Sequence, residues 1–224
     1  MRIRAALATA VSTLVLAASV LLGPAPAGAV GYQRGPDPTT TSIDAAQGTF
    51  AIAQLAVANA ATPGFGAATI YYPTSTAEGT FGGVAMVPVM GHSMGGGGAL
   101  EAAKARPSLR AAVPLAPWNS DRTWPEVVSP TLIVGAEKDT TAPVASYAVP
   151  MYTGMTAAPE KAYVELNDAG HSATSTPNTT AARYSLSWLK RFVDDDSRYS
   201  QFLCPGPTPS QTGPVSAYEN TCPI

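Results

Sequence analysis

The sequence predicts an α/β domain, a mostly parallel, twisted sheet with helices on both faces. Three observations carry that reading. Short apolar runs at Ala111–Ala116, Thr131–Ala136 and Ala162–Leu166 alternate with segments of helical spacing, the pattern of strands buried under helices. The run ending at Gly91 leads through a glycine-flanked serine straight into a helix. At 224 residues, 46% hydrophobic and only 12% charged, the chain can bury a full core and does not have the composition of a disordered one.

Taken in order, residues 1–29 stand apart from the rest. Arg2 and Arg4 precede an uncharged apolar stretch from Ala5 to Leu22, and Ala27 and Ala29 bracket a small-residue cleavage site. That is the make-up of a secretory signal peptide, and Pro24 and Pro26 argue against a membrane anchor. Residues 30–224 then form a single domain, extracellular after cleavage and with no second stretch able to span a bilayer. Gly31–Gly48 is turn-rich surface. Phe50–Ala58, Ala67–Pro73 and Phe81–Pro88 read as strands, with a hairpin turn at Thr74–Thr80, so this first region is antiparallel. Beyond the serine, Gly96–Ala105 reads as a helix stopped by Pro107, and Ala182–Val193 as an amphipathic one.

Loss of Arg2 and Arg4 would take the net charge from −2 to −4. An acidic chain excludes nucleic acid as a partner, since that requires a basic face. Cys204 and Cys222 are the only cysteines. An oxidising compartment lets them pair, and closing that loop contributes about 3 kcal/mol in the chain-entropy model. No histidine lies near enough in sequence to suggest a metal pair.

Gly91-His92-Ser93-Met94-Gly95 fits the G-x-S-x-G turn that lifts a nucleophilic serine above a parallel sheet. Alone the motif is weak, because a serine there can simply cap the next helix. The strand-turn-helix context raises its weight. In that setting the Met94 N–H can face a developing oxyanion. Two histidines could serve as base. His92 adjoins Ser93 on a sharp turn, so its ring points away and lines the cleft wall. His171 follows the strand Ala162–Leu166 and is the base within reach. The acid that orients it should follow a strand and precede it in the chain. Asp139 does both, Glu137 competes with it, and Asp168 lies too close to reach round to the His171 ring. The order Ser93, Asp139, His171 is that of α/β-hydrolases.

These residues resemble the actinomycete cutinases and polyester hydrolases, the group that includes poly(ethylene terephthalate) hydrolases. The resemblance is carried by Arg34–Pro38, Ala68–Pro73, Gly91–Gly98, Ala116–Trp118, Gly135–Pro143, Trp188–Val193 and Arg198–Cys204. It implies an α/β-hydrolase with Ser93 as nucleophile, His171 as base and Asp139 as acid. It also implies that Met94 donates to the oxyanion and lines the acyl side, that Trp118 stacks on substrate, and that Cys204 and Cys222 form a disulfide. Some members bind Ca²⁺ near the acid loop. Here Glu137 alone keeps a carboxylate, with Asn167 and Ser216 at the partner positions. No tight calcium site and no cofactor is expected, because Ca²⁺ takes several hard oxygen ligands.

The chain departs from the family at Pro88–Val89. Family members insert a glycine-aromatic loop and two β–α units there, roughly 65–70 residues, whereas this sequence runs directly on. The absent loop carries the second oxyanion N–H. A parallel strand is reached only through a crossover of a dozen or more residues, so Phe81–Gly91 would serve as one strand. Part of the central sheet and its covering helices would be missing, exposing apolar surface. Two functions follow. One is a secreted carboxylic-ester hydrolase acting on bulky or polymeric esters through a Ser-His-Asp acyl-enzyme. The other is a truncated, weakly active or non-catalytic homologue with an incomplete oxyanion hole. The oligomeric state stays open.

Overall fold

The computed structural model describes residues 36–46, 52–57, 68–73 and 88–224. The expected signal peptide, the Thr74–Thr80 turn and, apart from Pro88, the Phe81–Pro88 strand lie outside these residues.

A short helix α1 (Thr40–Ile43) opens the described chain. The Thr39 hydroxyl accepts from the Ser42 N–H and the Ser42 hydroxyl accepts from the Thr39 N–H, a reciprocal cap. Asp44 ties this segment to the body through both guanidinium branches of Arg183. Strands β1 (Ile52–Val57) and β2 (Ala68–Pro73) pair antiparallel, as expected of this region, and form a two-stranded sheet of their own.

The second sheet is built from β3 (Val89–His92), β4 (Ala112–Leu115), β5 (Thr131–Ala136), β6 (Lys161–Leu166) and β7 (Val215–Asn220), in that spatial order. The first four are parallel and β7 runs antiparallel to β6. Helices α2 (Met94–Ala105), α3 (Ala148–Gly154) and α4 (Thr179–Phe192) cover it. Alternate residues along each strand divide the core into two layers. Ala112, Ile133 and Tyr163 face Leu100 and Ala103 of α2 and Met151 of α3. Val113, Leu132, Val134, Ala162 and Val164 face Tyr184, Trp188 and Phe192 of α4. Helices therefore lie on both faces, and every residue of β5 is buried.

Several boundaries differ from the sequence reading, each for a local reason. Helix α2 starts at Met94, because the chain turns sharply at Ser93 and the glycines continue the helix. Helix α4 starts three residues early, at Thr179, where the Asn178 side chain accepts from the Ala181 N–H. Strand β7 and helix α3 were not anticipated. Strand β7 is half exposed and held mainly by its pairing with β6, so its sequence shows no strong apolar alternation. The Cys204–Cys222 disulfide joins the segment after α4 to the chain just beyond β7.

Strand β3 begins at Val89, the residue at which the family's continuity breaks. Among the described residues it has a strand neighbour on one side only, β4. None of its four residues is fully buried, and Met90 is 47% exposed.

Candidate active site

All the candidate residues sit at the C-terminal edge of the parallel strands, where loops leave the sheet. Ser93 follows β3 directly and has φ 58° and ψ −119°, a left-handed conformation costly for a residue with a Cβ. Its N–H is held by the Leu115 carbonyl at 2.9 Å, and its own carbonyl accepts from Trp118 N–H at 2.9 Å and Gly97 N–H at 3.1 Å. The strain of the turn thus falls on the serine. Gly91 has a different part, since a Cβ there would lie 2.2 Å from the Gly95 carbonyl oxygen. Gly95 itself faces open space, so the two motif glycines are not equivalent.

The serine side chain does not cap α2. Its Oγ lies 2.9 Å from His171 Nε2, and His171 Nδ1 lies 2.7 Å from Asp139 Oδ2. Of the three candidate acids, Asp139 is the one that meets the histidine. Glu137 accepts from the Asp168 N–H, and Asp168 pairs with Lys138. Asp139 is 5% exposed. Its second oxygen accepts from the Thr141 and Ala142 N–H groups at 2.8 and 2.7 Å, so both carboxylate oxygens are satisfied. An ionised carboxylate only accepts, so Nδ1 carries the proton and Nε2 is left to accept from the serine hydroxyl. The Asp-Thr-Thr-Ala sequence, an aspartate whose carboxylate takes the N–H groups two and three residues on, is the local signal for this anchoring.

His171 heads a 3₁₀ turn, His171–Thr174. His92 comes from β3, and its Nε2 lies 3.0 Å from the His171 carbonyl oxygen, with the two rings 4.6 Å apart. Its ring therefore lies against His171 rather than on Ser93. Met94 opens α2, so its N–H has no acceptor in the preceding helical turn, and its side chain is 72% exposed. Trp118 is 37% exposed beside the serine, while Trp124 and Trp188 are core. Sequence reading passed over Tyr147, a neighbour of Trp118, and Arg122, a neighbour of Tyr147. Tyr147 lies with its ring centroid 6.2 Å from that of Trp118, and Arg122 sits over Tyr147 at 4.3 Å. Asn167 donates to the Gln211 and Gly213 carbonyls and Ser216 to Glu165, so these side chains tie loops to strands. No helix among the described residues is long and apolar enough to cross a membrane.

Comparison with known proteins places the chain. The family described as "PET hydrolase-like" matches residues 26–89 and 87–223, two segments that meet at Pro88–Val89. A bis(hydroxyethyl) terephthalate hydrolase of Streptomyces coelicolor is 44% identical over 288 aligned positions, covering 99% of this chain and 92% of the relative. A cutinase of Thermobifida fusca is 37% identical over 99% of this chain and 95% of its own length. Cutinase 1 of Thermobifida cellulosilytica is 37% identical over 86% of this chain and 98% of its own. The 288 positions of the first alignment exceed the 224 residues of the chain by 64. At least that many positions therefore have no counterpart here.

Proposed function

The chain belongs to the PET hydrolase-like family and is a carboxylic-ester hydrolase of the cutinase and polyesterase type with an α/β-hydrolase fold, and from that premise we propose a Ser-His-Asp mechanism for it. Ser93 Oγ attacks the ester carbonyl carbon while His171 Nε2 takes its proton. Asp139, held by two backbone amides, keeps the imidazole in the required tautomer and stabilises the imidazolium. The Met94 N–H, at the positive end of α2, faces the tetrahedral oxyanion. Collapse returns the proton from His171 to the departing alcohol. Water then attacks the acyl-enzyme by the same route and releases the acid. The observation that carries this reading is the unbroken hydrogen-bond chain from Ser93 through His171 to Asp139 at the C-terminal edge of the sheet.

Substrate class follows from the surroundings. Met94, next to Ser93 in the chain, and Trp118, whose N–H bonds the Ser93 carbonyl, present exposed apolar surface, which suits bulky or aromatic acyl groups. The bis(hydroxyethyl) terephthalate hydrolase and the cutinases among the relatives support aromatic and polymeric esters as substrates. The leader at residues 1–29 supports export, and protein recovered from the medium should begin at Val30.

The absent span qualifies the rate. The second oxyanion donor that the resemblance places there is missing, which costs about 10²–10³ in rate. A weakly active homologue is therefore the second reading, favoured by the pairing of β3 on one side only among the described residues. Hydrolysis of p-nitrophenyl butyrate and covalent labelling by a fluorophosphonate test both. Purified protein should show both reactions, and Ser93→Ala should abolish labelling and lower kcat by up to the order of 10⁶. Neither hydrolysis nor labelling by the unmodified protein would overturn the catalytic reading.

A further inference from the structure

We propose that Arg122, which lies over the Tyr147 ring that neighbours Trp118, recognises the free carboxylate of an aromatic acyl group, so that the site favours half-esters of aromatic dicarboxylic acids. The inference rests on the ester-hydrolase reading and names a substrate class for it. Trp118 leaves the end of β4, and Tyr147 follows the β5 loop that carries Asp139. The Trp118 N–H bonds to the Ser93 carbonyl, which fixes the start of the ledge at the nucleophile. The Tyr147 ring lies tilted by 32° to the indole, with centroids 6.2 Å apart. Tyr147 is half-buried, and its backbone is held by the Pro143 carbonyl and by the Met151 N–H. The Arg122 guanidinium then lies 4.3 Å from the Tyr147 ring centre.

A guanidinium stacked on an aromatic face keeps its N–H edges free, in the plane that matches a carboxylate. Stacking also restrains the side chain before any ligand arrives, which lowers the entropy lost on binding. Among the described residues Arg122 forms no ion pair, although the rest of the chain pairs several of its cations. The acid next to it, Asp121, is engaged by the Thr123 N–H at 3.0 Å and the Thr123 hydroxyl at 3.4 Å. The site therefore presents an exposed indole for an aromatic ring and, linked to it through Tyr147, a cation that forms no ion pair among the described residues. An aromatic acyl group with an anionic far end matches both. Cleavage of such a half-ester consumes one water and yields the dicarboxylate and the alcohol, so the diester reaction supplies its substrate.

Two measurements test this. The first is the ratio of kcat/KM for mono(2-hydroxyethyl) terephthalate to that for bis(2-hydroxyethyl) terephthalate. Arg122→Gln should lower that ratio by about 2- to 5-fold, the size expected of an exposed charge pair. Rising salt should lower it in the unmodified protein and much less in the variant. The second needs no turnover. Terephthalate and neutral terephthalamide are titrated into Ser93→Ala protein while the Trp118 indole signal is followed by NMR. Terephthalate should bind more tightly than the amide, and adding Arg122→Gln should remove the difference. Selective binding in a protein that hydrolyses neither ester would sink the catalytic reading while leaving the subsite intact. A salt-independent ratio, or equal binding of dianion and amide at millimolar concentration, would overturn the subsite.

Discussion

Strands β5 and β3 belong to the same sheet and stand in opposite circumstances. Strand β5 pairs on both sides, all six of its residues are buried, and helices pack on both of its faces. Strand β3 pairs with β4 alone among the described residues, has no fully buried residue, and leaves Met90 half exposed. The loop after β5 carries Asp139, and the strand beside β5 leads to His171. Ser93 hangs from β3. Asp139 and His171 are thus carried by the best-supported part of the sheet, and Ser93 by the least supported. Local stability follows burial and pairing, so the site should open from the serine side.

The largest effect should come from breaking the strong side. Ile133→Ala in β5 removes a fully buried side chain and should cost about 2–5 kcal/mol in urea unfolding. Met90→Ala in β3 should stay within about 0.5 kcal/mol. Comparable losses would dissolve the contrast. Next comes repair of the weak side. Inserting the span a relative carries between Pro88 and Val89 should restore a crossover and the second oxyanion donor, raising kcat by about 10²–10³. No gain would mean that the missing donor does not limit the reaction. Gly91→Ala sharpens the comparison, because its Cβ meets the Gly95 backbone carbonyl. It should cost about 1–3 kcal/mol and depress esterase activity by displacing Ser93, whereas Gly95→Ala, facing open space, should be milder in both assays.

The smallest effect lies outside both strands. Arg183 hydrogen-bonds Asp44 and holds its carboxyl below the ordinary value of 3.8. A group lowered in the folded state adds stability above its unfolded value and loses it as pH falls through the folded one. The tie of α1 to α4 should therefore be intact at neutral pH and weaken below about pH 4. Both partners are partly exposed, so Asp44→Asn should cost at most about 1 kcal/mol near neutrality. Its Tm should converge on that of the unmodified protein in acid.

Much of the sheet could be read along the chain. Strands β4, β5 and β6 are short apolar runs because helices bury them on both faces, and that composition is visible one strand at a time. Strand β7 was not, because Val215 alone of its six residues is fully buried and its pairing with a strand far back in the chain leaves no local pattern. The serine turn was legible from its glycines, but the division of labour between them was not. Only the approach of α2 to β3 makes Gly91 necessary and leaves Gly95 free. Likewise, the place of Asp139 in the chain singled it out over Glu137 and Asp168, but not the two backbone amides that hold its second oxygen.

The amino-acid sequence by itself determined the alternation that builds the parallel sheet and the serine turn, patterns among near neighbours where side-chain periodicity and backbone preference act directly. The break at Pro88–Val89 shows only beside the family that the chain resembles. The tertiary structure alone decided how both Asp139 oxygens are held, that the His92 ring rests against His171, that among the described residues β3 is paired on one side, and that Tyr147 contacts both Trp118 and Arg122. Those outcomes depend on where strands far apart in the chain place their ends, and that is set by packing across the sheet.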